Sequence, residues 1–259
     1  MLAQFLNLPV AAGLVIFVLL IILLGLVPYF VARSLITKPV SGETRSVAES
    51  LFRISGALLA LLISLTFADI RSDITRVKDS VELEAAQIVD MYNDLARYNS
   101  EEADALQLKI IEFTKTILDD EWEKQEESRK NSRAWELFGE LQIGVLNLQP
   151  ENERQKVLVT RLLQDLDEIS DYRQERFYHA DKDPPVYIFI ALFGFVITMT
   201  LFSAHAPGLT SLLFMSLFGA FVAVVLYFSL AMSQPFHGPM SVSPGPFEVI
   251  YDDFTGEAN

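Results

Sequence analysis

The chain has 259 residues, no cysteine and a formal net charge of −14. Lacking cysteine, it has no disulfide, zinc ribbon, iron–sulfur cluster or thiol nucleophile, and its acidic balance argues against a nucleic-acid partner. The hydrophobic share of 51% averages two populations: 10–32 and 184–247 contain no charged residue, whereas 69–183 holds 28 acidic and 16 basic side chains.

The first apolar run, 10–32, has 23 residues and as a helix reaches ~35 Å, enough for a hydrocarbon core of ~30 Å. A signal peptide is the competing reading and is not expected: no Lys or Arg precedes the run, it is too long, and no small-residue cleavage site follows. Tyr29, Phe30 and Arg33 mark an interfacial end, with Pro28 expected in the last turn.

The second span is short. Only 54–68 is free of charge, 15 residues between Arg53 and Asp69, or ~22 Å of helix. Either Arg53 snorkels and the bilayer thins, or this helix faces protein and water more than lipid. Two stripes favour the second explanation. Gly56, Ala60 and Ser64 form a small-residue row that allows close helix approach. Leu59, Ile63 and Phe67 form a bulky row about 60° away; the two rows read either as ordinary packing and lipid contact, or as a small row packed on a neighbouring copy and a bulky row lining a central axis.

The acidic middle reads as helix throughout. Ile74, Val77, Val81, Ile88, Met91, Leu95 and Tyr98 continue the second span in a heptad seam. Glu84 stands in that seam, where it needs a cation, a hydrogen-bond partner or a watery interior. Three further amphipathic helices follow. The first opens at Ser100 and buries Ala103, Leu106, Ile110, Phe113 and Ile117, ending near Glu121-Trp122; the charged stretch 123–133 reads as a solvated face or loop. The next carries Trp135, Phe138, Leu141 and Val145. The last, with Pro150 suited to its first turn, carries Leu158, Leu162, Leu166, Ile169 and Tyr172.

Asp183-Pro184-Pro185 ends that helix. A tight hairpin follows, with spans at about 186–204 and 209–232 around His205-Ala206-Pro207-Gly208. Ser216 with Ala220, and Gly219 with Ala223, repeat the small-residue spacing and predict a packed helix neighbour.

The sum is an all-α membrane protein: four transmembrane helices in two hairpins, with a helical-bundle soluble domain inserted between spans 2 and 3. The expected boundaries are 1–68 for the first hairpin (spans about 10–32 and 52–68), 69–183 for the acidic domain, 184–232 for the second hairpin and 233–259 for a tail. Arg71, Arg76, Lys78, Arg173, Arg176 and Lys182 flank the spans on the domain's side, against Arg33, Lys38, Arg45 and Arg53 opposite. That balance places the domain and both termini in the cytoplasm by a small margin.

No residue set for catalysis is legible: there is no glycine-rich phosphate loop and no Ser/His/Asp set at recognisable spacing. His179, His205 and His237 lie in separate loops. His179 with Asp181 and Asp183, or Glu248 with Asp252 and Asp253, reads as a solvated linker and tail rather than a metal site. No enzyme, cofactor or metal is expected.

The order of features resembles the bestrophin superfamily, and within it a bestrophin-like family of bacterial membrane proteins. The segment 59–67, passing straight into a charged helix, resembles the bestrophin pore helix; its constricting residues fall on Leu59, Ile63 and Phe67. Glu84-Ala85, Met91-Tyr92 and Glu121-Trp122 are similar to that family's cytoplasmic signature. Pro235-Phe236-His237-Gly238 and Pro244-Gly245-Pro246-Phe247 are similar to its segments after the last span. Ala68-Asp69-Ile70-Arg71 stands where bestrophins carry an Arg-Asn-rich stretch, and the acidic calcium clasp of animal members has no clear equivalent.

The resemblance implies a homo-oligomer, pentameric in bestrophins, in a bacterial inner membrane. Its partners would be the lipid bilayer, its own copies and inorganic ions, with the second helix lining a hydrophobically gated pore. The middle domain's net charge of −12 leaves cation permeation as open as chloride permeation. The alternative is a non-conducting sensor or scaffold whose helical domain binds partners.

Overall fold

The computed structural model describes residues 9–36, 40–122, 133–180, 186–236 and 240–256. The described elements are helical: α1 (Val10–Leu35), α2 (Gly42–Tyr98), α3 (Glu101–Thr116), α4 (Arg133–Asn147), α5 (Glu153–Ala180), α6 (Val186–Leu201), α7 (Leu209–Met232) and α8 (Gly245–Thr255). A π-helical turn, Ile117–Glu121, extends α3, and a 3₁₀ turn, Phe202–Ala204, extends α6. Four of these helices are long and apolar enough to cross a membrane: α1, α2, α6 with its 3₁₀ turn, and α7. The chain divides into two compact units, one comprising Met1–Asp73 and Asp183–Met240, the other Ile74–Lys182 and Ser241–Asn259.

In the first unit α1 buries Gly13, Phe17, Ile21, Gly25 and Tyr29, one row at four-residue spacing, and leaves most of its remaining surface apolar and open. Water would not tolerate that outside, and hydrocarbon does. The helix runs through Pro28 to Leu35, so the proline lies inside it rather than in its last turn. Pro28 is tolerated there as prolines are in membrane helices, where neighbours re-satisfy the freed carbonyl. The row on α1 packs along α7 and, less extensively, α6. The α6 and α7 backbones approach each other less than either approaches α1, and the two helices meet through side chains.

Phe195 of α6 is fully buried at the centre of this arrangement. A Cβ added at Gly25 would come within 2.9 Å of its ring, and one at Gly219 within 3.5 Å of the ring and 3.6 Å of the Ile22 backbone. The missing side chains are what let three helices close around one aromatic ring. Phe218 stacks on Phe195 at 6.1 Å.

The second unit is built on the seam that sequence periodicity marks out. Ile74, Val77, Val81, Ile88, Met91, Leu95 and Tyr98 are all buried, facing a core supplied by α3, α4, α5 and α8. Ser100 caps α3, its hydroxyl accepting from the Ala103 amide at 3.2 Å. Asn152 caps α5, accepting from the Gln155 amide at 2.9 Å, and Gln155 in turn donates to the Tyr98 carbonyl. Pro150 therefore precedes the cap instead of sitting in the first turn. The segments 123–132 and 181–185, expected as a charged loop and a proline break, lie outside the described residues.

Candidate functional site

α2 is one uninterrupted helix of 57 residues, ~85 Å long by its rise per residue, with the charge-free 54–68 in its first half. Leu59 and Ile63 are 3% and 8% exposed and belong to the core of their own unit, together with Phe195, Val222 and Leu226. Phe67 is half-buried. The three residues border an apolar groove of about 230 Å³, closed on its other side by Phe218, Phe221, Val222 and Val225 of α7. Within the single subunit, Leu59 and Ile63 turn toward the apolar wall that α7 offers.

Gly56, Ala60 and Ser64 border the same groove, and a further side of α2 stays open. Leu58, Leu61 and Leu65 are 62%, 58% and 61% exposed. Ala60 and Ser64 are exposed, and a Cβ on Gly56 would meet nothing within 4 Å among the described residues. On α7, Gly219 and Ala223 are buried while Ser216 and Ala220 are half-buried. Gly219 meets Ile22 of α1, so the neighbour for this stripe comes from within the subunit.

In the second unit, four charged side chains with no exposed surface form one cluster: Glu84 of α2, Glu121 of the π-helical turn, and Arg173 and Arg176 of α5. Arg176 grips Glu84 with two hydrogen bonds, Nε to Oε2 at 2.9 Å and Nη2 to Oε1 at 3.0 Å. Its Nη2 also donates to Glu121 Oε1 at 2.7 Å, and Arg173 Nη2 donates to the other Glu121 oxygen. Two cations and two anions cancel, which is the condition for keeping such charges out of water.

Aromatic rings wall the cluster. The Arg173 guanidinium carbon lies 4.5 Å from the Trp135 ring centre and 5.2 Å from that of Phe113; the Arg176 carbon lies 4.9 Å from Phe177, 5.6 Å from Trp122 and 5.8 Å from Phe247. Burial works against the Arg176 charge, but Glu84 and Glu121 beside it hold its pKa above the ordinary arginine value. Burial pushes the Glu84 carboxyl upward, against the pull of Arg176. Burial pulls Arg173 below its ordinary value.

The π-helical turn brings Glu121 here. The wider turn ends α3 with the Trp122 amide donating to the Ile117 carbonyl at 2.9 Å, and it buries Ile117 and Glu121 together. Trp122 then meets Phe247 edge-on at 5.8 Å, tying the turn to α8. The signature residues Glu84 and Glu121-Trp122, 37 positions apart in sequence, converge on one cluster. Pro235 is buried and Phe236 half-buried in the first unit, while His237 and Gly238 lie outside the described residues.

Sequence reasoning missed Arg173 and Arg176, reading them as flanking surface charges. The signal was available: 162, 166, 169, 173 and 176 continue one helix face, so the arginines extend the buried stripe. Among the described residues no group of His, Asp or Glu is arranged to hold a metal ion.

This combination of an apolar four-helix unit and an acidic helical unit joined through one long helix places the protein in an all-helical, membrane-spanning class. The Bestrophin-like domain family matches residues 19–247, most of the chain, and the chain belongs to that family. The fold is similar to the crystal structure of a bacterial bestrophin homologue from Klebsiella pneumoniae, a point mutant. The TM-score is 0.60 at 12% identity, with 93% of this chain and 99% of that one covered. Comparison with curated proteins gives no match.

Proposed function

We propose that this chain is the subunit of an oligomeric ion channel in a bacterial inner membrane, with copies of α2 gathered around a shared pore. Bestrophins are channels, and family membership supports carrying that activity here. The observation that carries the reading is α2 itself: a charge-free stretch too short for the usual bilayer, continuous with a long acidic helix, with open bulky and small faces. Gly56, Ala60 and Ser64 are assigned to the contact with a neighbouring copy. Leu58, Leu61 and Leu65, the bulky row left open, are assigned to the pore wall, where an apolar ring gates by dewetting. Leu59, Ile63 and Phe67 then stand behind that wall and hold it against α7. The spans form two hairpins around the soluble unit, which faces the cytoplasm, and the pentameric state follows from the bestrophin resemblance.

Single-channel recording in planar bilayers tests this. Leu61→Ser and Leu65→Ser are expected to raise open probability at least tenfold by wetting the constriction, while Ile63→Ala is expected to lower stability with little change in conductance. If the serine variants conduct as the parent does while a well-folded Ile63→Ala opens the pore, the lining belongs to the Leu59, Ile63 and Phe67 row instead. A purified protein that is monomeric by mass and carries no flux would end the channel assignment.

A further inference from the structure

At the end of the first unit remote in sequence from the acidic segment, a recess of about 340 Å³ is lined by Ala48, Glu49, Phe52 and Arg53 of α2 and by Leu201, Phe202 and His205 at the end of α6. It holds charge of both signs on an aromatic floor. The His205 ring stacks on Phe202 at 4.9 Å, and its Nε2 lies 3.1 Å from Glu49 Oε1. Tyr29 donates to the His205 carbonyl at 3.2 Å, which fixes the turn. His205 Nδ1 is buried and has no hydrogen-bond partner. Arg53 Nε donates to the Glu49 carbonyl at 3.3 Å, and no ion pair to its guanidinium is recorded among the described residues.

Glu49 and Arg53 are one helical turn apart, so carboxylate and guanidinium emerge on neighbouring positions of one face. They do not pair with each other: the carboxylate is turned to His205. Two opposite charges one helical turn apart, beside aromatic rings and an orphaned ring nitrogen, complement a ligand carrying the reverse pattern. Depth points to its source. Arg53 is the last charge before the charge-free 54–68, which opens with the exposed Ile54 and Leu58, so the recess lies where hydrocarbon gives way to headgroups.

We propose that this recess binds a zwitterion, its ammonium on Glu49 and its anionic oxygens on Arg53, as in the ethanolamine headgroup of a phospholipid. The site is independent of whether the protein conducts ions.

The test compares phosphatidylethanolamine with phosphatidylglycerol, which keeps the phosphate and lacks the ammonium, by native mass spectrometry of the full chain in detergent. The ethanolamine lipid is expected to be retained about tenfold more often. Glu49→Gln brings that ratio to unity, and Arg53→Gln lowers retention of both lipids. Soluble phosphoethanolamine that displaces the lipid marks the recess as a general zwitterion site; failure to displace marks it as a lipid site, and either supports the proposal. Equal retention of the two lipids by the unaltered chain, or a preference that survives Glu49→Gln, overturns it. The comparison on the unaltered chain is decisive even if a variant fails to fold.

Discussion

Glu84 is a carboxylate in the middle of an apolar seam, and the second unit is organised around what it needs. Removing its charge alone, as Glu84→Gln, leaves the Arg176 guanidinium with one carboxylate in a site with no exposed surface. Breaking a buried pair from one side costs about 3–5 kcal/mol, so denaturant unfolding of this variant is expected at a clearly lower midpoint. Both tryptophans of the chain, Trp122 and Trp135, border the cluster, so their fluorescence reports the transition directly. Replacing both partners, Glu84→Gln with Arg176→Met, is expected to recover part of the loss.

Asp165 on α5 makes a second residue-scale prediction. Burial first, then Asp94, Asp90 and Glu168 nearby, push its carboxyl up to about 6, against a weaker pull from Arg161. The folded state therefore holds this proton more tightly than the unfolded chain does, and stability from this group is lost as pH rises from about 4 to about 6. Asp165 is partly exposed although its Oδ2 is buried, so solvent screening keeps the loss to on the order of 1 kcal/mol. Asp165→Asn is expected to raise the unfolding midpoint at pH 7 and leave it nearly unchanged at pH 4. A variant equally stabilised at both values would show that the carboxylate repulsion is not the cause.

Among elements, the first unit depends on knobs seated where glycine omits a side chain. Phe195 fits between Gly25 and Gly219, and truncation to alanine is expected to cost about 3–5 kcal/mol, through lost contacts and the cavity left behind. Thermal unfolding in detergent measures it. Exposed Phe193, two residues earlier on α6, serves as the control, because Phe193→Ala removes the same atoms from a surface that lipid refills. α2 works differently. Its heptad seam was readable because a stripe buried along its whole length leaves a periodic trace. Which of its faces turns inward between residues 54 and 68 was not readable, since Leu59 and Leu61 are chemically alike and only the position of α7 distinguishes them.

For the whole molecule, the 28 acidic and 16 basic side chains of 69–183 set the field near any pore that α2 lines. With Glu84, Glu121, Arg173 and Arg176 cancelling among themselves, the excess negative charge lies outside the cluster. The expected outcome is a cation preference that fades as salt rises from 0.15 to 1 M, where the screening length falls from ~8 to ~3 Å. Reversal potentials under salt gradients measure it. A preference for chloride, or one indifferent to salt, would place selectivity in the narrow segment of α2 instead.

The linear chain by itself determined the helical class and the four apolar segments of membrane-spanning length, because hydrophobic runs and periodicities are local and survive without a partner. It also marked Glu84 as a carboxylate in need of a partner or of water. Tertiary structure alone decided that Arg173 and Arg176 do so with Glu121, that Leu59 and Ile63 turn toward α7, and that α1 rather than α6 is the main neighbour of α7. Each of these depends on which surfaces meet across long stretches of sequence, and burial is a property of two surfaces together.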